Sequence, residues 1–305
     1  MDNSNNQTKA FYEELTYPGP GTNISTLWAN RIKKFVTHEN FTFLDAGCGT
    51  CKTLAGILKV HNKCTGIGID LSENSLALGE KLIKYHNLFD RCKIIKKSFN
   101  EPLKLENKFD FIIAGGSIHH SLNFKNSFKF LSDNLKSGGY FCGMVYSKRG
   151  HEYRYRLKEM LYLFTKDTET QKKIYLNLKK GILDYTLREI IDKFKDGYWK
   201  LKFSIRNEKS KLGYRNYGKI TDDVFFKDEF QVPVDYGLDT LDFKEICEEN
   251  NLEPIILAGY EKLDFIKFNN FMKEKINKLN FWERVRLNEL YDPIPKSINF
   301  ILRKI

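Results

Sequence analysis

The stretch FTFLDAGCGTCKTLAGILKVHNKCTGIGIDL, residues 41–71, leaves the chain few folds to choose from. An apolar run ends on Asp45, a tight turn follows through Gly47 and Gly49, a helical stretch comes next, and a second apolar run ends on Asp70. Strand, helix and strand in that order form one βαβ unit of an open parallel sheet, which binds ligands outside the carboxyl end of its first strand. The glycines let backbone approach a ligand closely, and the free amides of a helix start face it. An acid closing the second strand can accept hydrogen bonds from both hydroxyls of a ribose, so the ligand is read as a nucleoside.

Detail narrows the choice of nucleoside. A dinucleotide fingerprint places a third small residue three positions after the second glycine, and here that position holds Lys52. A phosphate-cradling loop needs Gly-Lys-Ser or Gly-Lys-Thr, and neither follows the turn. What remains is LDAGCGT followed by GIGIDLS, which resembles the donor-binding motifs of class I S-adenosylmethionine-dependent methyltransferases. The resemblance covers most of residues 41–147. It implies that the turn at Asp45, Gly47 and Gly49 holds the methionine end of the donor and that Asp70 holds the ribose. It also places Leu71, Ser98, Phe99 and Gly115 among the cofactor contacts, with S-adenosylhomocysteine as the product. Two positions depart from the family: Cys51 stands where a further glycine is usual, and Ser98 where many members have an acid that reads the adenine amine.

Strand and helix alternate onward, as a doubly wound parallel sheet requires. SENSLALGEKLIKYHN reads as a helix capped by Ser72, CKIIKKS as a third strand and FDFIIAGG as a fourth. Phe124, Phe128, Leu131 and Leu135 form a buried helical stripe, Gly138 and Gly139 end that helix, and YFCGMVYS is the fifth strand. Residues 149–196 read as helical, with Leu157, Met160, Leu161 and Phe164 on one face and Leu187, Ile190, Ile191 and Phe194 on another. The sheet then resumes with a last helix and sixth strand over residues 241–260, a second helical insertion follows, and SINFILRKI closes as a seventh, antiparallel strand.

The expected architecture is α/β, a Rossmann-like seven-stranded sheet with helical cap insertions. Its parts are an N-terminal lid segment at 1–40, a donor-binding core at 41–147, a helical cap at 148–235, and 236–305 returning to the core. In the lid segment, Ile24, Leu27, Ile32 and Phe35 roughly keep a helical stripe, while YPGPG at 17–21 forms an aromatic turn that could fold over the pocket mouth.

A hydrophobic content of 41% suffices for a buried core. No apolar run approaches the length of a membrane span, and the polar start MDNSNNQTK does not read as a secretory signal, so a cytoplasmic address is expected. Cys48 and Cys51 make a lone CxxC without the second pair a zinc site needs, so no metal is expected. The net charge of +11 lies in one place: Lys148–Lys219 holds 20 Lys plus Arg against 9 Asp plus Glu, and the rest of the chain balances at 30 against 30. Such a segment suits an acidic partner or a solvated lysine-rich surface.

Methyl transfer is an in-line displacement that needs the acceptor held in line and, for a hydroxyl or ammonium acceptor, a base. The fourth strand ends GGSIHHS, which makes His119 and His120 the first candidates for that base, ahead of Tyr146 at the end of the fifth strand. Tyr17, Arg149 and Arg154 are candidate substrate contacts. The expected acceptor is a small metabolite, anionic or neutral. Two alternatives stay open: an RNA methyltransferase, since Arg149, Tyr153, Arg154, Tyr155 and Arg156 interleave charge with aromatic surface, and a donor-binding module without turnover. The acceptor atom stays open among oxygen, nitrogen, carbon and sulfur.

Overall fold

The structure is a computed structural model and describes residues 3–105, 108–178, 226–260, 269–291 and 295–305. The chain divides into two compact units, Met1–Glu152 together with Val232–Ile305, and Tyr153–Gln231. Strands are β1 Thr42–Ala46, β2 Thr65–Asp70, β3 Cys92–Lys96, β4 Phe109–Gly115, β5 Leu135–Ser147, β6 Gly237–Leu238, β7 Leu252–Ala258 and β8 Ser297–Lys304. Helices are α1 Asn3–Glu14, α2 Leu27–Ile32, α3 Lys52–Val60, α4 Glu73–Tyr85, α5 Phe124–Ser132, α6 Glu152–Phe164, α7 Thr240–Glu249, α8 Asn270–Asn277 and α9 Phe281–Leu290.

All eight strands form one sheet, which belongs to the larger unit and runs β3-β2-β1-β4-β5-β8-β7, with the two-residue β6 beside β5. β1 pairs in parallel with β2 and β4, β4 with β5, and β8 is antiparallel to both β5 and β7. This is the expected mostly parallel sheet with an antiparallel last strand. The order reverses between β1 and β4, so the carboxyl ends of those strands flank the crevice where such a sheet takes its ligand.

Alternation along the strands builds a core on each face. Leu44, Ile112, Ala114 and Phe141 join Phe128, Leu131, Phe243 and Ile246 on one side, whereas Phe43, Phe111, Ile113 and Cys142 join Trp28, Leu54 and Ile57 on the other. A strand covered on both faces is apolar at nearly every position, which is why FDFIIAGG reads as a continuous run.

Two local expectations are corrected. Leu135 does not continue the α5 stripe: α5 ends at Ser132, and Leu135 opens β5 opposite Phe109. Gly138, with φ of 76°, lies inside the irregular start of β5 instead of ending the helix. In α2 the buried face is Trp28, Ala29 and Ile32, while Leu27 is 46% exposed. The second half of the expected stripe continues as a short 3-10 turn over Lys33–Phe35, which breaks the 3.6-residue period.

In the smaller unit, Leu157 and Leu161 of α6 pack with Phe226 and Phe230, while Phe164 is exposed. Leu187, Ile190, Ile191 and Phe194 lie outside the described residues. No helix among the described residues is long and apolar enough to cross a membrane.

Candidate functional site

β1 delivers Asp45 to the crevice, and the chain then turns sharply enough that the Gly47 and Cys48 amides both donate to the Ile69 carbonyl, at 2.8 and 3.0 Å. Gly47, Gly49 and Cys51 all have positive φ, 73°, 50° and 59°. The first two are conformations glycine adopts freely, whereas a side chain there costs roughly 1 kcal/mol. Cys51 accepts that cost at the position where the resembled family usually has glycine. Its Sγ is fully buried, 3.7 Å from the Cys48 Sγ.

Asp70 closes the other side of the turn. Its Oδ2 accepts the Gly49 N–H at 2.8 Å and its Oδ1 accepts the Ser72 N–H at 2.9 Å. Burial raises the Asp70 pKa; the Ser72, Gly49 and Leu71 amides pull it down, and the Glu13 carboxylate pushes it up. Leu71 thus contributes its backbone beside the acid. Asp45 is more enclosed, 3% exposed, and its Oδ2 has no hydrogen-bond partner. Burial lifts its pKa to about 7, the Leu54 amide opposes, and the nearby Asp70 adds to the rise.

Phe99 and Ser117 press on the turn from outside the motif: a methyl group at Gly47 would overlap the Ser117 side chain and touch the Phe99 ring. The Ser117 hydroxyl donates to the Ala46 carbonyl at 2.6 Å. Ser98 is half-buried and its Oγ accepts the Asn100 N–H at 3.0 Å. Gly115 makes room for the Trp28 indole, whose Nε1 would lie 2.5 Å from a methyl group there.

The N-terminal segment lies directly on this turn. The Tyr17 carbonyl accepts the Thr50 N–H at 3.3 Å, and the Ser25 N–H donates to the Lys52 carbonyl at 2.9 Å. Side chains at Gly49 and Gly56 would overlap the Tyr17 and Ser25 carbonyls respectively, so both glycines are required by the close approach. One turn earlier, the Glu13 carboxylate accepts the Glu73 and Asn74 amides at 2.8 and 3.0 Å and caps α4 beside Asp70.

At the carboxyl ends of β4 and β5 the structure gathers aromatic and imidazole rings. The His119 ring lies 4.1 Å from both His120 and Tyr146, and Tyr146 lies 4.4 Å from His151. His119 is fully buried, and His120 and Tyr146 nearly so. His120 Nδ1 is 2.9 Å from the Val234 carbonyl. A carbonyl only accepts, so Nδ1 carries the proton and the lone pair of the neutral ring sits on Nε2.

The candidate substrate contacts fall in different elements and units. Tyr17 is half-buried at the glycine turn, Arg149 is exposed after β5, and Arg154 belongs to the smaller unit. There Arg154 is 7% exposed, donates to the Glu229 carbonyl at 3.0 Å and pairs with its carboxylate at 3.6 Å.

Sequence reasoning missed Glu13, Trp28, Ser117 and His151. Ser117 lies within GGSIHHS but carries no signal of its own there, and the other three sit in no local motif. The one available signal was the small residue at Gly56, a glycine inside a helical run that usually marks a close approach.

Residues 37–190, just over half of the chain, match the family model described as a methyltransferase domain, and the chain belongs to that family. An uncharacterized Synechococcus protein, syc1184_c, is 23% identical over 270 residues, covering 85% of this chain and 59% of that one. PKMT2 from Rickettsia typhi in complex with AdoHcy superposes with a TM-score of 0.64 at 17% identity, over 87% of this chain and 48% of that one. A second structure of PKMT2 has the same TM-score at 15% identity, over 97% of this chain and 51% of that one. The chain spans about half the length of these relatives. The family and the Rossmann-like methyltransferase fold expected from LDAGCGT and GIGIDLS are therefore present.

Proposed function

We propose that this chain is a methyltransferase that takes its methyl group from S-adenosylmethionine and passes it to a small metabolite. The observation behind the donor is the Asp45 carboxylate, buried at the foot of the glycine turn with one oxygen unpartnered, which fits an ammonium group. Asp70, already oriented by the Gly49 and Ser72 amides, has lone pairs left for two ribose hydroxyls. Leu71 follows Asp70 directly, the Phe99 ring reaches the glycine turn at Gly47, and Ser98 lies two residues beyond the end of β3. PKMT2 binds AdoHcy on the same fold, which supports this donor.

When bound, the donor supplies an already activated methyl group, so the protein's work is positioning and proton removal. The buried rings of His119, His120 and Tyr146 support a small acceptor that can enter an enclosed site. His120 is the base in this reading: its Nδ1–H is held by the Val234 carbonyl, which turns the basic Nε2 outward from that bond. His119 and Tyr146 wall the acceptor site. Arg154, engaged by Glu229, does not favour the RNA reading.

The test is transfer of labelled methyl from S-adenosylmethionine into a metabolite extract. A labelled small product in the wild-type chain, diminished about a hundredfold or more in His120→Asn at unchanged donor affinity, is the expected result. Donor binding with no labelled product would favour a module without turnover, and label in RNA would move the acceptor to nucleic acid.

A further inference from the structure

His120 is held at one edge by the Val234 carbonyl, 2.9 Å from its Nδ1. A single hydrogen bond fixes one ring atom and leaves the plane of the imidazole free to tilt about it. Contacts with other rings set that tilt. His119, in the turn after β4, and Tyr146, at the end of β5, supply two of them, at 4.1 and 5.9 Å between ring centroids. A third comes from outside the sheet: the half-buried Tyr12 ring of α1 lies 6.1 Å from His120 at an interplanar angle of 57°.

Tyr12 is itself fastened. The Phe11 ring meets it edge-on at 5.1 Å, and its carbonyl accepts the Ser72 hydroxyl at 2.9 Å. The next residue, Glu13, accepts the Glu73 and Asn74 amides with its carboxylate and the Asn74 side-chain amide with its carbonyl, at 2.8, 3.0 and 2.9 Å. Ser72 in turn donates its own amide to Asp70. The last turn of α1 is thus pinned beside the acid that closes β2, and from there its aromatic ring reaches the imidazole that follows β4.

Placement matters more to a base than to a wall. A group that takes a proton works only within hydrogen-bond reach of it, and a misplacement of about 1 Å costs up to about a hundredfold in rate. We infer that Tyr12 is a positioning residue of methyl transfer: its ring, anchored through α1 to the Asp70 side, sets the tilt of the His120 imidazole. This rests on the reading of His120 as the base and deepens it, since Tyr12 acts through that imidazole.

A double-mutant cycle tests it, with labelled methyl passed from S-adenosylmethionine into a metabolite extract as the rate and calorimetry with S-adenosylhomocysteine as the donor affinity. Tyr12→Ala should lower transfer about tenfold or more with donor affinity within about twofold, and Tyr12→Phe, which keeps the ring, should transfer within about threefold of the wild-type chain. In the His120→Asn chain, Tyr12→Ala should cost nothing further, because a residue that acts through the imidazole has no effect once the imidazole is gone. A merely structural residue would lose the same factor in both backgrounds. That equal loss, a loss with Tyr12→Phe as large as with Tyr12→Ala, or a fall in donor affinity that accounts for the lost transfer would each overturn the inference. If Tyr12→Ala does not fold, Tyr12→Leu takes its place in the cycle with the same outcomes. His120→Asn alone tests the reading beneath: unchanged transfer there, or no labelled product from the wild-type chain, refutes the base and this inference with it. A large loss in His120→Asn beside a fully active Tyr12→Ala refutes the role of Tyr12 alone.

Discussion

The Gly49 amide donates to the Asp70 carboxylate at 2.8 Å, so the turn after β1 and the end of β2 are one hydrogen-bonded unit. The same carboxylate holds the Ser72 amide at the start of α4. Asp70 therefore organises the turn as well as facing the crevice, and its removal should register in both respects.

Asp70→Ala is expected to weaken binding of S-adenosylhomocysteine by roughly 1 to 3 kcal/mol, the scale of lost hydrogen bonds to a carboxylate. Asp70→Asn, which keeps an acceptor oxygen for one amide, should lose less. Calorimetry on variants with wild-type circular dichroism checks this, and unchanged affinity in folded Asp70→Ala would remove the ribose assignment.

Asp45 sets a pH dependence whose sign follows from its raised pKa of about 7. An unfolded aspartate ionises near 3.9. Between those values the folded chain holds a proton that the unfolded chain has released, so stability falls as pH rises through the window. The contribution is complete below about pH 4 and is lost as pH passes 7, with a range of up to roughly 4 kcal/mol. Donor binding should run the other way: an ammonium against Asp45 favours the ionised carboxylate, so affinity should rise as pH is raised through 7. Thermal melts and calorimetry at pH 5.5 to 8.5 test both slopes, and Asp45→Asn should flatten them.

Gly56→Ala separates local from tertiary energetics. In an isolated helix alanine is favoured over glycine by about 1 kcal/mol. Here the added methyl group meets the Ser25 carbonyl, so the substitution should destabilise the chain by about 1 to 3 kcal/mol, the usual cost of overpacking. A denaturant midpoint that rises instead would show that the N-terminal segment does not pack on α3 as described.

Glu13→Ala removes the carboxylate that caps α4 from outside it. Loss of a helix cap costs about 0.5 to 2 kcal/mol. The effect should be local: faster amide exchange over α1 and the first turn of α4, with β1 and β4 unchanged. Uniform acceleration across the sheet would contradict a role confined to docking this segment.

Much of the larger unit was legible because its signals are local. Continuous apolar runs in β1, β4 and β5 mark strands buried on both faces, and the 47–49 turn is written in two glycines separated by one residue, with an acid two residues before the first. Asp45 and Asp70 could be placed at strand ends from the apolar runs that precede them, and the resemblance to the methyltransferase motifs implied their donor-side roles. Leu135 escaped because an apolar residue after a helix serves equally as the first residue of a strand, and only pairing with Phe109 decides between them.

Tertiary structure decided what lies far apart in the chain. Glu13 caps a helix 60 residues away, and the Val234 carbonyl selects the His120 tautomer across 114. Backbone conformation answers to near neighbours and is written in the order of residues. Which charge is enclosed, and which proton a ring keeps, depends on desolvation by distant groups, and those meet only in the folded chain.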